Sequence, residues 1–223
     1  MTYTFQFGIV LDKLDLLLEG AWLTIRLAFT AMVIGLLVAV ICAYLRTAGS
    51  PPVRALIGTY VEGIRNTPFL VQLYIIFFSL PSIGIRFDAN DAALVAMAVN
   101  FGAYATEIVR AGVQSVPVGQ IEVGFALGLK RLQIYRLIVL FPALKAVFPA
   151  LASQFILLLL GSSVVSAISA NELTAIANTL QSTTFRAFEV YIVVTIMYLG
   201  IAVAFRGLFA LTYWYVFVRG RMG

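Results

Sequence analysis

Four uncharged polar side chains stand inside long apolar runs: Gln72, Asn100, Ser153 and Gln154. An amide or hydroxyl left facing lipid is costly, so each must turn toward protein or toward a wet path. Their groups can hydrogen-bond the ammonium and carboxylate of a zwitterion; equally, they can hold one helix to another. Covalent and metal chemistry have little to work with. There is no His and a single Cys, Cys42, within an apolar run, which excludes an internal disulfide and any Cys-based metal cluster. Zinc and haem sites of the usual kinds lack ligands. No phosphate loop of the GxxxxGK[ST] form occurs, so the chain does not hydrolyse ATP by that chemistry.

The charged candidates come in pairs. Glu62 with Arg65, and Glu107 with Arg110, are three positions apart on a predicted helix face, a spacing that lets each pair neutralise itself. Thr67 and Pro68 follow the first pair, and Pro68 is expected to bend or interrupt its helix. Arg26 lies four residues inside its run and is close enough to the end to snorkel outward.

The elements that position these groups belong to a membrane. Of 223 residues, 62% are hydrophobic and 11% charged, with a mean hydropathy of +1.01. The pattern predicts an all-α, polytopic protein forming one transmembrane domain over residues 1–223, with five spans. These run from about Trp22 to Tyr44, Ala55 to Leu80, Ala92 to Val109, Ala146 to Ala167, and within Ala187 to Val218. The last region is too long for one straight span, and Arg206 divides it, so the exit is expected between Arg206 and Trp214. Residues 1–20 lack a basic n-region and read as an extracytoplasmic segment along the interface rather than a cleavable signal. A short helix is expected near Asn171 before the last span.

Between the third and fourth spans lies a polar insert, Gly112 to Arg136, within a predicted cytoplasmic region of residues 111–136. Val118, Ile121, Phe125 and Leu129 recur at helical spacing, with Gly119, Gly124 and Gly128 interleaved and Pro117 and Ser115 at a plausible helix start. Three glycines weaken an isolated helix by about 1 kcal/mol each, so this helix needs a partner that approaches closely. It reads either as a docking helix or as an amphipathic connector in the headgroup layer.

Charge placement supplies orientation. Arg46, Arg54, Arg110, Lys130, Arg131, Arg136, Lys145, Arg219 and Arg221 fall on one side of the five spans, whereas Lys13, Arg86 and Arg186 fall with most of the acids on the other. The expectation is an extracytoplasmic N-terminus and a cytoplasmic insert and C-terminus. The net charge of +5 is then a topology signal and not a sign of nucleic-acid binding.

The insert resembles the "EAA" coupling loop of ABC-transporter permeases, at Glu122, Val123, Gly124, Gly128 and Ile138 to Leu140. The stretch GAYATEIVRAGVQSVPVGQIEVGFALGLKRLQIYRLIVL, from Gly102 to Leu140, is similar to the polar amino-acid uptake subfamily, as are Thr67 and Pro68 within RNTPFLVQL and Ser162 with Ser163. There are departures. Val123 and Gly124 replace Ala-Ala, Phe141 takes the expected Pro place with Pro142 one residue late, and Leu160 stands where relatives carry Lys. The resemblance implies a type I importer permease of a bacterial inner membrane that binds no cofactor itself. It would work with a second permease, identical or similar, two ATP-binding subunits that use ATP and Mg, and an extracytoplasmic binding protein. Gly119, Glu122, Gly124, Ala126, Gly128 and Leu129 would couple it to the ATPase; Glu62, Arg65, Thr67, Pro68, Glu107, Arg110, Ser162 and Ser163 would serve structure or gating. The cargo would be polar amino acids or relatives such as opines. An autonomous channel or secondary carrier, and a structural membrane subunit, are the competing classes; the docking helix and the lack of an inverted repeat argue against the former.

Overall fold

A computed structural model describes residues 3–219, so Arg221 lies outside the described residues. Among the described residues the regular elements are all helical. They are α1 (Phe7–Leu11), α2 (Leu14–Ala48), α3 (Pro51–Arg65), α4 (Phe69–Tyr74), α5 (Ala89–Gln114), α6 (Val118–Ala126), α7 (Arg131–Ile134), α8 (Leu140–Gly161), α9 (Leu173–Thr184) and α10 (Ala187–Tyr213). Wider π turns extend α4, α7 and α10, and 3-10 turns carry the chain on from α4 to Ile83 and from α8 to Ile168.

Four helical runs are long and apolar enough to span a membrane: Leu14–Ala48, Ala89–Gln114, Arg131–Ile168 and Ala187–Val218. The fifth is the pair Pro51–Arg65 and Phe69–Ile83, bent by 110° at the break that Pro68 predicts. It must count as one crossing. Arg46 pairs with Glu107, which sets the C-terminal ends of α2 and α5 side by side, so the chain between them has to return to the opposite side before α5 begins. There, the backbone N–H of Asn171 donates to Asn90 Oδ1 at the start of α5.

Several boundaries differ from the sequence expectation. The first helix begins at Leu14 instead of Trp22, because Leu17 and Ala21 are buried with Leu173, Ala177, Val190 and Val194 and packing extends it. Only α1 remains as a separate N-terminal piece, and its Val10 is buried in the same cluster. The fourth helical run begins at Arg131, well before Ala146. Here the π turn over Tyr135–Val139 ends three positions before Pro142, which then falls in the first turn of α8, where a missing N–H is tolerated, so the displaced proline is absorbed within one continuous run. The last region continues through Arg206 without a break.

The core lies between α2 and α5, where Ala28, Ala31 and Ala39 meet Ala98, Phe101 and Ala105, and it continues into Phe155, Leu159 and Val165 of the fourth run. Small residues let the two backbones approach, the form of packing available where lipid offers no hydrophobic drive. By contrast, α10 is the least buried of the long helices.

A buried carboxylate ties the far end together. Glu172 caps α9 by accepting from Ala175 N–H at 2.9 Å, and also accepts from Tyr198 Oη at 2.6 Å and Thr24 Oγ1 at 3.5 Å. It thereby joins α9 to α2 and α10. Burial pushes its carboxyl above the ordinary 4.5, opposed by the hydrogen bonds it accepts. The folded chain therefore holds this proton more tightly than the unfolded one, and the resulting stability is complete below about pH 4.5 and is lost as pH rises through the folded value. In thermal unfolding scans, the decline of stability above pH 4.5 is expected to be shallower in Glu172→Gln than in the wild type. Glu172→Leu should lose about 1–3 kcal/mol for each buried donor left without an acceptor.

Candidate solute cavity and coupling surface

The site is built around the break between α3 and α4. The residue before a proline is pushed out of the helical region, so the chain cannot carry α3 on through Thr67, and Pro68, at ψ 136, caps α4 in a new direction. The carbonyls freed by this turn need donors. Asn66 Nδ2 and Thr67 Oγ1 donate to Glu62 O and Gly63 O at 2.9 and 2.7 Å, and Gln72, 7% exposed, supplies the rest: its Nε2 lies 2.7 Å from Ile64 O, 3.1 Å from Thr67 O and 3.0 Å from Thr67 Oγ1. Its Oε1 accepts from Asn100 Nδ2 at 2.9 Å, which fastens the break to α5. Both ends of the Gln72 amide are therefore used inside the protein.

Beside this latch lies a cavity of about 240 Å³, whose polar lining is Thr67, Asn100, Tyr104 and Gln154, with Phe69, Leu157 and Leu158 as apolar wall. Asn100 keeps its carbonyl oxygen for the cavity, and Gln154 has no hydrogen bond among the described residues, so its acceptor and donor both remain available. Tyr104 is held by the Arg65 guanidinium 5.5 Å from its ring centroid. Ser153, next to Gln154 in sequence, faces elsewhere; its Oγ donates to Pro149 O at 3.0 Å, and it lines the groove between α8 and α10.

The charged pairs are re-sorted. Glu107 accepts from Arg110 at 2.7 Å as expected, and also from Arg46 on α2. Glu62 does not pair with Arg65: it lies 3.8 Å from Arg46 and accepts from Asn66 at 3.1 Å, while Arg65 stacks on Tyr104. The result is one ion network across α2, α3 and α5. Ser162 and Ser163 donate to the carbonyls of Leu159 and Leu160 at 2.7 and 2.9 Å, stitching the change from α-helix to 3-10 turn.

The polar insert folds as α6, one turn shorter than its apolar spacing suggests. Ile121 and Leu129 pack inward with Val116, Ile134, Val139 and Ala143, whereas Val118 and Phe125 point out, so the expected single stripe is split between two faces. Gly124 is buried, and a Cβ there would come within 2.7 Å of Ile138 Cδ1; its absent side chain brings α6 onto its own chain and not onto a partner. Gly128, at φ +75, makes the left-handed turn that ends the helix. What remains outward on the helix and its end is Val118, Gly119, Gln120, Glu122, Val123, Phe125, Ala126 and Leu127, a mainly apolar surface with one amide and one carboxylate.

A cavity with free amides beneath a broken helix, and a short helix offering an apolar face outside the spans, suit a transport subunit driven by another protein. A family profile described as "Binding-protein-dependent transport system inner membrane component" matches residues 31–212. The chain belongs to that family. It is 32% identical over 227 residues to the nopaline transport system permease protein NocM of Agrobacterium fabrum, covering 96% of this chain and 94% of that protein. It is 33% identical over 197 residues to the glutamine transport system permease protein GlnP of Escherichia coli, covering 87% and 90%. Its fold matches a chain from the crystal structure of an amino acid ABC transporter with histidines at TM-score 0.90, with 34% identity over 96% of this chain and 100% of that one. This permease therefore has the five-span architecture of type I ABC importers.

Of the polar residues flagged in the sequence, the permease fold brings Thr67, Asn100 and Gln154 to one cavity, turns Gln72 into their support and sends Ser153 to another face. Tyr104 was legible one helical turn after Asn100. Arg46 was not, because only tertiary packing places it against Glu107. Gln72→Leu should lower the stability of the permease by about 1–3 kcal/mol through the stranded carbonyls. Gln154→Leu should leave the thermal unfolding midpoint unchanged, so the two variants separate in one melting experiment.

Proposed function

We propose that this permease passes polar amino acids or related compounds such as opines from an extracytoplasmic binding protein to the cytoplasm, driven by ATP. It acts with a second permease, identical or similar, and two ATP-binding subunits that carry the ATP and Mg chemistry. The observation that carries this reading is the open carbonyl oxygen of Asn100 beside the open amide of Gln154 in a cavity of a chain related to glutamine and nopaline permeases. Amide donors and acceptors suit a zwitterion's carboxylate and ammonium, and the binding protein supplies further selection.

The orientation follows from the basic residues. Arg46, Arg110, Lys130 and Arg131 cluster at the α6 end of the bundle, which by the positive-inside bias faces the cytoplasm and leaves the N-terminus outside. The exposed face of α6 then meets the ATPase. Val123, Phe125 and Leu127 give it apolar area, Glu122 a carboxylate to orient it, and Gly119 an open surface. Because Ile121 and Gly124 seat α6 on the start of the fourth helical run, a displacement of α6 moves Arg131–Ile168 and, through it, Gln154.

The test is uptake by the complete transporter in proteoliposomes against a panel of amino acids and opines. ATP-dependent accumulation that also requires the binding protein is expected; accumulation by this chain alone without ATP would overturn the proposal. In the same preparation Gln154→Leu should reduce uptake efficiency about ten- to a hundredfold, the loss of one hydrogen bond to a charged group. Leu127→Asp should weaken association with the ATP-binding subunits on the order of a hundredfold, by burying an unpaired charge, as measured by co-purification.

A further inference from the structure

Arg206 is absorbed by none of these sites. It lies about 28 Å along α10 from Ala187, close to the far boundary of a hydrocarbon layer about 30 Å thick. Among the described residues no carboxylate lies within ion-pair distance of it. Its side chain lines a groove of about 690 Å³ between α8 and α10, with Ser153, Leu157, Leu160, Phe209 and Tyr213. At the end nearer α6 the groove meets a second hollow, where Lys145 stands beside the same Tyr213. Lys145 thus stands at the α6 end and Arg206 further along, with Phe209 and Tyr213 on α10 between them, and Leu157 and Leu160 continue the apolar wall beyond Arg206.

We infer that this groove holds an anionic phospholipid, its phosphate between Arg206 and Lys145 and an acyl chain along Leu157 and Leu160. Two cations without an acid call for an anion, and the apolar length beyond them calls for hydrocarbon. Among the described residues, a second copy of the chain offers no free carboxylate at this depth. Glu62 and Glu107 are held by Arg46, Glu107 also by Arg110, and Glu189 by Tyr3, Gln6 and Arg186. Glu172 is buried, Glu122 lies on α6, and Asp12, Asp15, Glu19, Asp88 and Asp91 sit at the opposite end of the bundle. A phosphate of the leaflet on the α6 side, cytoplasmic by the orientation proposed above, lies at the right height.

Native mass spectrometry of the transporter released from nanodiscs of equal phosphatidylglycerol and phosphatidylcholine tests this. The wild type is expected to retain phosphatidylglycerol in preference. Arg206→Gln should cut that retention about fivefold, and Arg206→Gln with Lys145→Gln about twenty-fivefold. Arg206→Lys and Arg86→Gln, the latter in the loop before α5, should retain it. If Arg206→Gln does not assemble, Lys145→Gln alone should still show the fivefold loss. Equal retention of both lipids, or unchanged retention in these variants, would overturn the inference. So would a disulfide between two copies carrying Leu160→Cys in a Cys42→Ala background, since it would place a second chain in the groove.

Discussion

A peptide group inside hydrocarbon has no water to bond to, so a helix can break there only where protein supplies the missing partners. The turn at Asn66–Pro68 meets this requirement locally through Asn66 and Thr67, which donate to the carbonyls of Glu62 and Gly63, and across the break through Gln72. Gln72 donates into the loose end of α3 and accepts from Asn100, so a break imposed by Pro68 becomes a fixed corner tied to α5. The 110° change of direction opens the wedge in which Thr67, Asn100, Tyr104 and Gln154 meet. Without that latch there would be neither a defined cavity nor a defined position for the half-span beyond it.

Two other constraints hold the wedge at a set distance from the outside world. On the α6 side, Glu107 gathers Arg46 and Arg110 into a network spanning α2, α3 and α5, and Gly124 seats α6 against Ile134 and Ile138. On the opposite side, Glu172 fastens α9 to α2 and α10. The cavity thus lies between two polar fastenings, each joining at least three elements. Under the proposed docking of the ATPase on α6, force applied there reaches the cavity only if the helices above it move as units.

Much of this was legible in the sequence. Five spans, the corner at Pro68 and the short helix after Pro117 follow from hydropathy and proline chemistry; the cost of polar groups in lipid singled out Gln72, Asn100, Ser153 and Gln154 alike, and only the fold shows that Asn100 and Gln154 share a cavity. The rest depended on contacts that no local pattern carries. Glu62 and Arg65 have good spacing for a pair, yet Arg46 arrives from α2 and takes the carboxylate, leaving Arg65 to Tyr104. The α6 stripe failed for a related reason: spacing assigns a face to each residue but does not say that Gly124 marks the buried one. Glu172 and its partners Thr24 and Tyr198 are far apart in the chain, and only the fold shows them as one network.

The central claim is that the space beside the broken helix is the route of the solute, and accessibility at Gln154 tests it most directly. In a Cys42→Ala background, Gln154→Cys in the complete transporter would be treated with a small water-soluble thiol reagent, with and without loaded binding protein and ATP. The account predicts that the thiol reacts from the aqueous phase and that transported solute slows the reaction. A thiol at this position that stays unreactive throughout turnover, or that reacts at one rate whether or not solute is moving, would contradict it.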